Sequence, residues 1–113
     1  MLSLPRSFAK TMVAHALEED PNECCGIVAG TNQQAVKLYQ MTNSEHSPYR
    51  YNMDPKELYN AYREIEDRHW DILAIYHSHT HSEAYPSATD IRMALANWPD
   101  PIYVLISLMD KNN

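Results

Sequence analysis

Segments of helical period alternate along this chain with short apolar runs of strand length, which predicts an α/β fold: a mixed central β-sheet flanked by helices. Its 113 residues suit a single domain spanning 1–113 and leave no room for a second. Hydrophobic residues make up 44% of the chain, enough for a thin packed core and too many for a disordered polymer.

The elements follow in order. Leu4, Phe8, Met12 and His15 or Ala16 recur at helical spacing over residues 4–19, and Pro21-Asn22 breaks that helix. Cys24-Cys25-Gly26-Ile27-Val28-Ala29 is a short apolar run that reads as a buried strand, with Gly30-Thr31-Asn32 as the turn after it. Residues 35–41 alternate as the second strand of an antiparallel pair. Residues 42–48 form a polar loop, and residues 49–53 read as a further short strand. In Asp54-Pro55-Lys56-Glu57 an N-cap Asp, a Pro at the first helical position and a Glu three residues after the cap open a helix. That helix runs to about His69, with Leu58, Tyr62 and Ile65 on its buried face. Residues 71–79 are rich in Ile, Leu and Tyr and make a central strand that ends in polar residues; 80–86 is a loop. A third helix opens at Ser87-Ala88-Thr89-Asp90, with Ile91, Ala94, Leu95 and Trp98 facing inward. Pro99 and Pro101 end it, and residues 102–108 form the last strand.

Several classes of function are excluded on composition. The net charge is −6 and the Lys and Arg residues are scattered, so no nucleic acid partner is expected. The start of the chain carries no signal peptide, and no apolar run approaches the ~18 residues of a membrane span. Cys24 and Cys25 are adjacent, where a disulfide would be strained, so no oxidised framework is expected. These features predict a cytoplasmic protein with reduced thiols, Cys25 serving as a small packing residue.

The informative stretch runs from His77 to Asp90. Histidines at i and i+2 of a strand point to one face, so the rings of His77 and His79 can reach the same metal ion. Eleven residues after His79, Asp90 falls in the first turn of the third helix. Two imidazoles and a carboxylate leave a fourth position open, the pattern of a catalytic zinc rather than a structural one. A Glu beside such a metal is suited to move the proton of an attacking water. Spacing alone does not say which Glu; Glu23, at the edge of a buried strand among small residues, is favoured. Plain structural readings stand beside these. A His-x-His pair alone is a weak signal, and Ser87 with Asp90 makes an ordinary helix cap with an acid where the helix dipole favours one. The conjunction is what carries the metal reading. His81 is assigned to the surface or to substrate contact rather than to a fourth ligand. His15, His46 and His69 are assigned to structural or solvated positions.

His77-x-His79, seven residues, Ser87, two residues and Asp90 together resemble the motif of the JAMM (MPN-plus) metallopeptidases, and Glu23-Cys24-Cys25-Gly26 resembles that family's Glu-x-Cys-Gly segment. The resemblance implies a cytidine-deaminase-like α/β fold and a Zn2+ cofactor held by His77, His79 and Asp90. It also implies Glu23 as general acid/base and Ser87 as the group that steadies the oxyanion. Residues 21–26, 41–48, 76–90 and 103–107 look like the bacterial Mec-type branch, which shares Thr80 where many members have Pro. That branch removes cysteine from the Gly-Gly tail of a ubiquitin-like sulfur-carrier protein in cysteine biosynthesis. Similar proteins continue with another strand and sometimes a helix beyond the position of Asn113. The chain is therefore expected either to be shortened there or to have a neighbouring subunit, as in a homodimer, supply the missing edge. Two other readings stay open: a deubiquitinase-like isopeptidase that strips ubiquitin-like modifiers from conjugates, and a non-catalytic MPN scaffold. A DNA-repair-like relative fits less well, because the loop after His79 has no glycine.

Overall fold

The computed structural model of the protein describes residues 3–80 and 101–108. The helix expected from Ser87 and the loop beyond Thr80 lie outside the described residues. The remaining elements are α1 (Arg6–Glu19), β1 (Cys25–Thr31), β2 (Gln34–Met41), α2 (Pro55–Asp67), β3 (Asp71–His79) and β4 (Ile102–Ser107). The expected class holds: among the described residues one mixed sheet has the order β2-β1-β3-β4. β1 pairs antiparallel with both β2 and β3, while β3 and β4 run parallel.

Burial explains the sequence pattern of each strand. β1 is central and covered on both faces, so it reads as an unbroken apolar run; β2 is an edge, and its residues before Met41 are exposed or half-buried. The pleat divides the core in two. Cys25, Ile27, Ala29 and Ile75 face Ala61 and Ile65 of α2, together with Met41 and Met53. Cys24, Val28, Ala74 and Tyr76 face Met12 and Ala16 of α1, with Leu4 and Phe8 packed at the margin. Adjacent in sequence, the two cysteines therefore look into opposite halves of the core. Both are buried free thiols. Burial pushes Cys24 up to about 11 and raises Cys25 further, so both stay protonated packing residues.

Some expectations are corrected. On α2, Ala61 and Ile65 are buried while Tyr62, expected on the inner face, is exposed. The β1–β2 turn is Asn32-Gln33, both at positive φ, while Gly30 and Thr31 belong to the strand. Two left-handed central residues make the tight hairpin turn that matches strand twist. Gly30 is required elsewhere: it sits where the register shifts, and an added Cβ there would run into the backbone carbonyl of Gln34. Residues 49–53 are not a strand. They touch ladder geometry only at an isolated bridge between Met53 and Asn43, because the Asn43 side chain takes the backbone groups that a ladder would use.

Candidate active site

The site grows from the C-terminal end of β3. Continuing the alternation of Ile75, His77 and His79 stand on the α2 face of the sheet, 1% and 5% exposed. Their Nε2 atoms are 3.2 Å apart, with the rings tilted 59°. Tyr51, from the loop before α2, stacks on His77 at 4.5 Å between centroids and 26° between planes. Cys25 lies directly across from His77 on β1. Carrying that register outward sets Cys24 across from Ser78, where Cys24 N donates to Ser78 Oγ and Ser78 N donates to the Cys24 carbonyl. One step further it sets Glu23, buried at 3% exposure, across from His79. Glu23 and the two histidines thus share one end and one face of the sheet.

The donor set fits a zinc ion. Two imidazole nitrogens held at about 2.0–2.1 Å on a tetrahedral ion stand roughly 3.3 Å apart, and the two Nε2 atoms already stand at that spacing. The same spacing permits a hydrogen bond when one ring carries its proton on Nε2 and the other on Nδ1. Among the described residues no group of three or more His, Cys, Asp or Glu comes together as a metal site. Ser87, Asp90 and His81 lie outside the described residues. The other histidines are apart from this centre. His15 is buried beneath α1 against Tyr76, and His46 and His69 are exposed residues at positive φ.

Two residues that sequence reasoning did not single out belong to the surroundings of the site. Tyr51 fixes the plane of the His77 ring, and Asn43 gathers the loop that delivers it. Only the helix signal after residue 53 marked that loop's end; nothing local announced a stacked aromatic.

Two buried imidazoles side by side at the end of a central strand, with Glu23 just ahead of the neighbouring strand, form a donor set of the kind that hydrolases use. The sequence profile described as prokaryotic homologs of the JAB domain matches residues 5–113, and the chain belongs to that family. It is 41% identical over 112 residues to the CysO-cysteine peptidase of Mycobacterium tuberculosis, covering 97% of this chain and 75% of that protein. It is 32% identical over 113 residues to the desampylase of Haloferax volcanii, covering 94% of this chain and 80% of that one. Among solved structures, a Desulfitobacterium hafniense protein superposes with a TM-score of 0.83 at 33% identity, covering 100% of this chain and 79% of its own. The chain is a peptidase-type hydrolase of the JAB family. No helix among the described residues is long and apolar enough to cross a membrane.

Proposed function

We propose that this protein is a zinc peptidase that hydrolyses the amide bond after the C-terminal Gly-Gly tail of a ubiquitin-like sulfur-carrier protein, releasing cysteine in the cytoplasm. The observation that carries this reading is the pair of buried Nε2 atoms at zinc-ligand spacing, with Glu23 just ahead of the neighbouring strand. The substrate class follows from the 41% identity to a peptidase named for a carrier–cysteine adduct.

His77, His79 and Asp90 would hold the metal. When bound, zinc supplies Lewis acidity toward a carbonyl and lowers the pKa of a water to about 7. Glu23 takes the proton of the attacking water and hands it to the leaving amine, a task that asks for a carboxylate held in a fixed place. Ser87 donates a hydrogen bond to the oxyanion; losing one such donor costs about 3 kcal/mol in comparable sites. In balance, the amide C–N bond breaks, the water oxygen joins the carbonyl carbon, and the cysteine leaves as a free amine. An extended tail fits beside a sheet strand through main-chain hydrogen bonds, with glycines keeping it thin.

Incubation with a ubiquitin-like protein ending in Gly-Gly-Cys, followed by intact mass measurement, tests the reading. Loss of the terminal cysteine residue is expected, and Glu23→Gln should abolish it while leaving the metal bound. Loss of metal in Glu23→Gln would contradict the proton-transfer role. Turnover of a lysine-linked isopeptide conjugate but not of the cysteine adduct would move the substrate to the class named by the Haloferax relative. A folded wild-type protein that binds zinc nowhere and cleaves neither substrate would be a scaffold.

A further inference from the structure

We propose that Asn43 is a positioning residue of this site: one buried side-chain amide fixes both the backbone that carries Glu23 and the loop that lays Tyr51 on His77. The inference rests on the peptidase reading for its kinetic consequence and on the geometry alone for the rest.

Asn43 is 7% exposed and uses its whole hydrogen-bonding capacity. Nδ2 donates to the Glu23 carbonyl at 3.0 Å and to the Arg50 carbonyl at 3.0 Å. Oδ1 accepts from Glu45 N at 3.0 Å and from Asn52 N at 3.1 Å. Arg50 and Asn52 flank Tyr51, so the amide grips the chain on both sides of the stacked ring. Glu23 precedes β1 and is held through this same loop: its N–H donates to the Ser47 carbonyl at 2.8 Å, and its carbonyl accepts from Asn43. Thr80 Oγ1, just past His79, reaches the Pro48 carbonyl at 3.4 Å and ties the loop to the end of β3. Only a side chain with two donors and an acceptor at this length serves all four partners. An aspartate would present a carboxylate to two carbonyl oxygens that now accept hydrogen bonds.

Asn43→Asp keeps size and acceptors and removes the two donors. Because reacting groups lose rate steeply with small misplacements, kcat on the carrier–cysteine substrate should fall about 10- to 100-fold. KM should stay within about threefold, since no substrate contact is removed. Bound zinc should be unchanged. In hydrogen exchange the amides of Glu23 and Asn52 should speed up by about tenfold or more while those of Ile27 and Val28 in β1 do not, the mark of local rather than global opening. Ser44→Ala, which removes a hydrogen bond to the Asn52 carbonyl in the same loop, should leave kcat at the wild-type value. Wild-type kcat in Asn43→Asp, or exchange that rises equally across β1, would overturn the proposal. Should Asn43→Asp fail to fold, the smaller, uncharged Asn43→Ser is read by the same two measurements. If wild-type protein cleaves nothing, the peptidase reading falls, and the exchange pattern still decides whether Asn43 holds the Glu23 segment.

Discussion

Tyr76 and His77 are neighbours in sequence, and the pleat sends them to opposite faces of the sheet. His77 looks toward Tyr51 and the proposed metal centre. Tyr76 lies fully buried under α1, its hydroxyl 2.8 Å from His15 Nδ1 and the two rings edge-to-face at 5.9 Å. Gly26 makes room for it, since a Cβ at that position would overlap the Tyr76 ring. Burial drives the Tyr76 hydroxyl well above its ordinary range, so it keeps its proton. Burial also lowers the His15 pKa below 6.5, with Glu19 and Glu18 pulling more weakly the other way. His15 is thus neutral in the fold, while in the unfolded chain it takes up a proton below about pH 6.5. The unfolded state then binds more protons, so stability is full above that pH and declines as pH falls through the lowered folded-state value. Urea unfolding at about pH 7.5 and about pH 5 should show a larger loss in wild type than in His15→Phe. Equal losses would remove His15 as the source of the slope.

At the scale of elements, the ends of α2 are the best-specified features of the chain. Asp54 Oδ2 accepts from Glu57 N at 3.0 Å, and Pro55 occupies the first turn. Glu57 reaches back to Thr42, taking its N–H at 2.6 Å and its hydroxyl at 2.8 Å, which joins the helix start to the end of β2. At the other end His69 takes positive φ, Trp70 N bonds the Ile65 carbonyl and His69 N the Glu66 carbonyl, a Schellman termination. Further along, Glu64 binds Lys37 and Tyr39 of β2, and these hydrogen bonds hold its carboxyl below the usual range. Asp54→Ala should cost about 1 kcal/mol in denaturant unfolding with an unchanged m-value. No loss would show that the cap is redundant with the Thr42–Glu57 clasp. The start of this helix was legible because capping is written within four consecutive residues. The helix ends at Asp67, two residues before the sequence pattern stops, because a histidine in the left-handed position carries no glycine-like signal. The 49–53 segment looks like a strand in sequence and is not one for a related reason: an asparagine six residues upstream of it, Asn43, takes the hydrogen bonds that would have made it a strand.

Across the whole molecule, sequence was most informative where geometry is local. Strand alternation alone put His77 and His79 on one face, and both indeed lie together and buried. The antiparallel register that sets Glu23 beside them is not readable from spacing; Glu23 stands out only by its place at the edge of a buried strand and by the resemblance of its segment to a known motif. Asn43 and Tyr51 were illegible as site residues, because their contacts join segments up to 26 positions apart in the chain and look like loop polarity and strand aromaticity in isolation. The division of the core into an α1 half and an α2 half has a functional side, since His77 and His79 continue the α2 side of β3. Zinc content of the purified protein, set beside His77→Ala, His79→Ala and Asp90→Ala, is the most direct test of the proposed centre. About one zinc per chain in wild type, lost in each variant with the fold retained, is the expected result. A zinc-supplied wild-type protein that holds no metal, or histidine variants that keep it, would contradict a metal site built on the end of β3.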